Sequence, residues 1–162
     1  MELRPAGLDD AEAIREIYNH EVATGTATFD LEPRSLVDQR SWLSERSGAH
    51  VVVVAEIDGE IVGFGALSRY KDRPAYNTTV EDSVYVAPGS QGLGVGIALM
   101  EALLAKAADH GFHTVIARIG SESDASVALH AKAGFVEIGR EREVGRKFGR
   151  WIDVVIMQHM LV

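Results

Sequence analysis

The sequence predicts an α/β fold, a mixed sheet with helices packed on its faces. Three observations predict it. Strand-like and helix-like stretches follow one another in the order β-α-α-β-β-β-α-β-α-β-β. Asp58-Gly59, set between two β-branched runs, marks a tight hairpin. An alternating segment, Val80 to Val86, runs into the glycine-rich turn Gln91-Gly92-Leu93-Gly94-Val95-Gly96 and then into an amphipathic helix. With 162 residues, 46% of them hydrophobic, the chain is expected to form a single domain over residues 1–162 with a sizeable core.

The elements follow in order. Glu2-Leu3-Arg4 is a short first strand. Asp9 or Asp10 caps a helix that places Ile14, Ile17, Tyr18 and Val22 on one face and ends at Thr24-Gly25-Thr26. Thr28-Phe29-Asp30 lies in the next loop. Pro33 and Ser35 open a second helix, with Leu36, Trp42 and Leu43 on its buried side. His50 to Ala55 and Ile61 to Ser68 are the hairpin strands, and Gly63 and Gly65 in the second mark a close approach by another backbone. Arg69 to Thr79 is a loop. In the strand after it, Val80, Asp82, Val84 and Val86 share one face, and Glu81, Ser83 and Tyr85 the other. The helix beyond the glycine turn runs to about His110, where Gly111 stops it. His113 to Ile119 is a strand, and Ser121 to Ser126 leads into a short helix ending at Gly134. Phe135 to Ile138 starts another strand. Glu137 to Arg150, crowded with charge, reads as a loop or open hairpin, and Trp151 to Leu161 is the last strand.

Composition excludes several functions. A formal charge of −8 argues against broad nucleic-acid or anionic-membrane binding. No apolar run approaches the roughly 18 residues that span a membrane. The first residues lack a basic region and an apolar signal core, so a cytoplasmic protein is expected. With zero cysteines there is no disulfide, thiolate metal site or cysteine nucleophile. His20, His50, His110, His113 and His159 show no ligand spacing, and no metal is expected.

The glycine turn carries the chemistry. Bare N–H groups at a helix start bind anions, and glycines let a phosphate approach them closely. A P-loop requires Lys-Ser or Lys-Thr after the last glycine, and here Ile97-Ala98 follows. A dinucleotide turn belongs after a first strand with an acidic residue about 20 positions on, and Asp109 and Glu122 are poorly placed for that. A third reading, an acetyl-coenzyme A cradle, is the one a family resemblance implies. Gln91-Gly92-x-Gly94-x-Gly96 after Val84-Tyr85-Val86 resembles the signature of the GCN5-related N-acetyltransferases (GNAT). Within that superfamily the chain is similar to the phosphinothricin and methionine sulfone/sulfoximine N-acetyltransferases. The likeness rests on Ala13 to Asn19, Thr28-Phe29-Asp30 with Glu32-Pro33, Arg73 to Asn77, Thr79 to Val86, Ser126 to Phe135 and Val144 to Val154.

The resemblance implies the GNAT fold, acetyl-CoA as co-substrate bound at splayed central strands, and a homodimer. It implies that the backbone of Val84, Tyr85 and Val86 pairs with the pantetheine arm, and that the Val86 N–H stabilises the oxyanion. Gln91, Gly92, Leu93, Gly94, Val95, Gly96 and Ile97 would cradle the pyrophosphate. Ser123 stands where the family usually has a cofactor-contacting Asn, and Ser126 would be a second polar contact. Glu81 would be the general base; read without the motif, it is a solvated strand glutamate. His130 occupies the position of a thiolate-protonating Tyr, so it either donates that proton or packs against the cofactor tail.

Phe29, Arg73, Tyr76, Asp82 and Ser83, with Glu81, are the candidate acceptor contacts. Arg73 would hold a carboxylate, or is an exposed loop arginine. Lys147, Arg150 and Trp151 would close the site from their charged loop or lie solvated in it. The implied reaction is acetyl transfer to the α-amine of a small amino acid or analogue, by direct attack in a ternary complex. Acetylation of a protein N-terminus or a polyamine is one alternative. A non-catalytic acetyl-CoA sensor is another.

Overall fold

A computed structural model of the protein describes residues 1–46 and 48–161. The elements are β1 (Glu2–Pro5), α1 (Ala11–Thr24), α2 (Leu36–Ser44), β2 (Val52–Ile57), β3 (Glu60–Arg69), β4 (Thr79–Val86), α3 (Val95–Asp109), β5 (Thr114–Gly120), α4 (Asp124–Lys132), β6 (Val136–Lys147) and β7 (Arg150–Met160). The strands form a seven-stranded sheet in the order β1-β2-β3-β4-β5-β7-β6. Every neighbouring pair is antiparallel except β4 with β5.

Local chemistry sets the turns. Asp58 (φ 52°) and Gly59 (φ 82°) both take left-handed conformations, as a two-residue hairpin between twisted strands requires. Ser35 caps α2, its hydroxyl accepting the Asp38 N–H at 3.1 Å. Asp10 stands at the start of α1 but does not cap it. Its carboxylate takes the Gly7 N–H at 2.8 Å and the Arg4 guanidinium at 2.8 Å, and the chain enters α1 through a 3-10 turn at Leu8–Asp10.

Two apolar layers cover the sheet. On one face α3 packs Leu99, Met100 and Leu103 onto Val53, Leu67, Val80, Val115 and Val155. On the other, α1 and α2 pack Ile14, Ile17, Tyr18 and Leu43 onto Val52, Val54 and Phe64. Gly63 and Gly65 make room for α3 side chains as well as for the neighbouring strand. A Cβ on Gly63 would lie 2.9 Å from Val95, and one on Gly65 2.8 Å from Leu103. The alternation of β4 holds: Val80, Val84 and Val86 join the α3 layer, and Tyr85 joins the α1 layer.

Of the two readings of Glu137 to Arg150, loop or open hairpin, the hairpin is the one found. Most of the stretch is β6, a twelve-residue edge strand hydrogen-bonded to β7 and turned at Phe148-Gly149. Its register shifts between Glu137 and Gly139 and between Glu141 and Gly145. An edge strand exposed over most of its length and covered only near Gly145 and Lys147 has no apolar alternation to display, and charges and bulges protect such edges from further pairing.

Candidate active site

The site begins where the parallel pair gives out. β4 and β5 pair only at Thr79–Thr114, Val80–Val115 and Glu81–Ile116, and then separate. The Ala87 N–H donates to the Val62 carbonyl at 2.8 Å. In an antiparallel ladder the bonding groups alternate, so the backbone groups of Tyr85, Ser83 and Glu81 face β3. Those of Val84 and Val86 face the fork, beyond the last β5 partner. A strand edge with unused donors and acceptors is therefore presented to whatever enters the fork.

A cleft of about 600 Å³ opens from this edge. It is lined by Val84, Tyr85 and Val86, then by Gln91, Gly92, Gly94, Val95, Gly96 and Ile97, with Ser123 and Ser126 on the α4 side. Leu93 is not in that lining, and its side chain is 62% exposed. Gly92 (φ 78°) and Gly94 (φ 82°) are left-handed, with open space where a Cβ would stand. That backbone favours glycine and leaves the start of α3 bare toward the cleft. Gly96 has a different reason to be small, since a Cβ there would lie 3.3 Å from Leu129 on α4. Ser123 begins α4 without a side-chain cap bond, so its hydroxyl is free to serve the cleft. His20, Glu21 and Thr24 of α1 and Lys132 of α4 also line it, and none of these carries a motif.

Glu81 and Asp82 are consecutive and point to opposite faces. Glu81 is half-buried, and burial pushes its carboxyl above the usual glutamate range. Arg118 opposes that shift and the neighbouring Asp82 adds to it. Arg118, on β5, pairs with Glu141 of β6 and borders the fork. The sequence marks it only as the one charge in Thr114–Gly120. Asp82 turns inward, its side chain 1% exposed, and binds His130 Nε2 through Oδ2 at 2.8 Å. It does not share a face with Glu81 and Ser83. Its Oδ1 is buried without a partner. His130 Nδ1 lies 2.7 Å from the Ser126 carbonyl oxygen and 3.5 Å from Ser126 Oγ. Burial alone would lower the His130 pKa; the hydrogen bond and charge of Asp82, with the Ser126 carbonyl, outweigh it and raise it. A cavity of about 40 Å³ within the fork is bordered by Asp82, Ser83, Val84, Arg118, Ser126 and His130.

The remaining expected contacts are scattered. Phe29 lays its ring over Gly145, where any Cβ would collide with it, and beside Gly120. Lys147 is 4% exposed and donates to the Thr28 carbonyl at 2.9 Å. Arg150 reaches Glu122 at 3.1 Å, and Trp151 is 60% exposed. Arg73 and Tyr76 are exposed and border neither the cleft nor the fork cavity. Tyr76 packs edge-on to Tyr70 at 5.6 Å. The loop under the fork is tied down instead by Tyr18. Its hydroxyl meets Thr28 Oγ1 at 3.0 Å and the Asp30 carboxylate, with Arg34 3.7 Å above its ring. Among the described residues no group of three His, Cys, Asp or Glu could hold a metal ion.

Comparison with known proteins gives consistent matches. Residues 13–135 match the acetyltransferase (GNAT) family. A phosphinothricin N-acetyltransferase of Alcaligenes faecalis is 43% identical over 155 residues, covering 94% of this chain and 79% of the relative. An L-methionine sulfoximine/L-methionine sulfone acetyltransferase of Pseudomonas paraeruginosa is 35% identical, covering 96% of this chain and 92% of its own. A phosphinothricin acetyltransferase from Sinorhizobium meliloti, solved in complex with AcCoA, superposes with a TM-score of 0.95 at 36% identity. That match covers 98% of this chain and 87% of the other.

Proposed function

The chain belongs to the acetyltransferase (GNAT) family, and we propose that it moves acetyl from acetyl-CoA to the α-amine of a small amino acid or analogue. The observation that carries this reading is the β4–β5 fork, with the unused backbone groups of Val84 and Val86 facing it and the glycine turn at its end. The cleft fits the donor. It runs from the β4 edge, which suits an amide-bearing arm, to the start of α3, which favours phosphate. Acetyl-CoA supplies the activated acetyl group; the protein supplies position and charge.

The roles follow from placement. Glu81, beside the point where the strands part, takes the acceptor's ammonium proton directly or through water. An α-amine with pKa near 8 is about one-tenth neutral at pH 7, a cost of roughly 1.4 kcal/mol. A single carboxylate with a raised pKa is a base suited to that deficit. The Val86 N–H stabilises charge on the thioester oxygen. Gln91 to Ile97 hold the pyrophosphate, with Ser123 and Ser126 as flanking contacts. Attack is direct, since the chain has no cysteine to carry acetyl.

Phosphinothricin, methionine sulfone and methionine sulfoximine share an α-amine, an α-carboxylate and a tetrahedral polar head, and they are the proposed acceptors. Ser83 and Phe29 remain the proposed acceptor contacts, with Arg118 added on the Glu81 face, and Arg73 and Tyr76, exposed outside both cavities, are proposed to reach the acceptor from their loop. A cytoplasmic homodimer completes the reading. Its support is the exposure of Val136, Ile138, Val144 and Trp151 along the β6–β7 hairpin.

The test is thiol release from acetyl-CoA against the three analogues, other amino acids, spermidine and an N-terminal peptide. Turnover concentrated in the three analogues supports the reading. Preference for spermidine or the peptide replaces it, and acetyl-CoA binding without turnover of any amine indicates a sensor. Arg73→Ala should weaken amino-acid acceptors and spare spermidine, which has no carboxylate.

A further inference from the structure

Both ring nitrogens of His130 face acceptors. Nδ1 lies 2.7 Å from the Ser126 carbonyl oxygen, which accepts and never donates, so Nδ1 carries a hydrogen. Nε2 lies 2.8 Å from Asp82 Oδ2, and an ionised carboxylate also accepts, so Nε2 carries the second. His130 is then an imidazolium, 4% exposed, held by a buried carboxylate. Its Nδ1–H has a further acceptor in Ser126 Oγ at 3.5 Å. Ser126 borders both the fork cavity and the large cleft. Contacts thus lead from Asp82 in the core, through His130, to Ser126 at the cleft wall, the last of them long at 3.5 Å.

Asp, His and Ser in line are familiar as a nucleophilic device, but there the histidine offers a lone pair to the serine. Here the nitrogen nearest Ser126 is committed as a donor, so protons run the other way. We propose that Asp82, His130 and Ser126 form a proton-donating relay to the departing thiolate of coenzyme A, with Asp82 the positioning residue that keeps His130 charged. The proposal rests on the acetyl-transfer reading above.

The step balances. The acceptor nitrogen bonds to the acetyl carbon as the carbon–sulfur bond breaks. Sulfur takes the Ser126 Oγ proton, and Oγ takes the Nδ1 proton. His130 is left neutral with Nε2–H on Asp82, and the Ser126 hydroxyl turns to donate to Nδ1. The nitrogen loses one proton to Glu81 before attack and a second to water in the cleft as the amide forms, and Glu81 then releases its proton to solvent, so one proton leaves per turnover. His130 recovers its proton from water along the cleft.

The groups around His130 are few. Asp82 faces it from β4, with Glu81 adjacent but on the opposite face. Arg118 of β5 borders the same cavity. From β7, His159 packs on Phe135 at 5.3 Å, and the Phe135 ring stands edge-on to His130 at 4.9 Å. α3 meets α4 through Gly96 against Leu129.

Nitrogen-15 imidazole NMR, with His130→Gln assigning the signal, reads the His130 charge without turnover. Both nitrogens are expected to be protonated at pH 7 in the wild type, and His130 in Asp82→Asn to lose a proton about one pH unit or more lower. At saturating acetyl-CoA and methionine sulfone, the alkaline limb of kcat should move acidward by the same interval in Asp82→Asn. Ser126→Ala should lower kcat about tenfold or more and leave the His130 titration in place. A singly protonated wild-type His130, an unmoved alkaline limb, or wild-type kcat in Ser126→Ala overturns the relay alone. A wild type that turns over no amine overturns the relay together with the acetyl-transfer reading.

Discussion

Glu81 and Asp82 show how one strand separates two chemistries. Neighbours in sequence, they diverge because a strand alternates its faces. Burial raises the Glu81 carboxyl, so its basic form appears only above the ordinary glutamate range, and kcat/KM should rise with pH through that raised value. The same shift has a stability sign. A folded-state pKa above the unfolded one means that ionising Glu81 costs the fold stability as pH rises past the unfolded value. Glu81→Gln should therefore match the wild-type Tm near pH 4 and equal or exceed it at pH 7, as read by calorimetry. His130 has the opposite sign. Its raised pKa contributes stability that is complete below the ordinary histidine value and lost as pH rises through the raised one. The Tm deficit of Asp82→Asn should accordingly be larger at pH 6 than at pH 9. Which of the two acids faced the core was legible from the alternation of Val80 to Val86. That Asp82 meets a histidine 48 positions away was not, because no local pattern encodes that contact.

At the scale of elements, the glycine turn separates backbone need from packing need. Gly94 adopts φ 82° with open space around it, whereas Gly96 lies against Leu129. Gly94→Ala should cost about 1 kcal/mol or more through strain alone and weaken acetyl-CoA binding, with helix α4 undisturbed. Gly96→Ala should disturb the contact between α3 and α4. Calorimetry of the apo protein and titration with acetyl-CoA distinguish the two. The turn was readable because its spacing is local. The full length of β6 was not readable because its bulges and charges suit an exposed edge, and strand rules assume a buried face. The fork itself leaves no mark in the sequence: it depends on where pairing between β4 and β5 stops, and that is a matter of register.

For the whole molecule, the sheet places Glu81, the proposed base, on one face, the Asp82–His130 pair on the other, and an unpaired strand edge between them. The order of elements predicted all seven strands, with β6 foreseen only at its start, Phe135 to Ile138, and not in its full length. The acceptor side was less legible, since Phe29, Gly120, Gly145 and Lys147 come together only when the α1–α2 loop folds over β5 and β6. If the proposed homodimer forms through the β6–β7 hairpin, Trp151, 60% exposed, should be buried in it and Trp151→Asp should shift sedimentation toward a monomer. The central claim is that Glu81, placed at the fork, drives acetyl transfer from acetyl-CoA to an amino-acid amine. The direct measurement is thiol release with methionine sulfone or phosphinothricin for wild type and Glu81→Gln, alongside acetyl-CoA binding. The account predicts wild-type turnover, a loss of about 100-fold or more in the variant, and unchanged acetyl-CoA affinity. A variant that keeps the wild-type rate would contradict it.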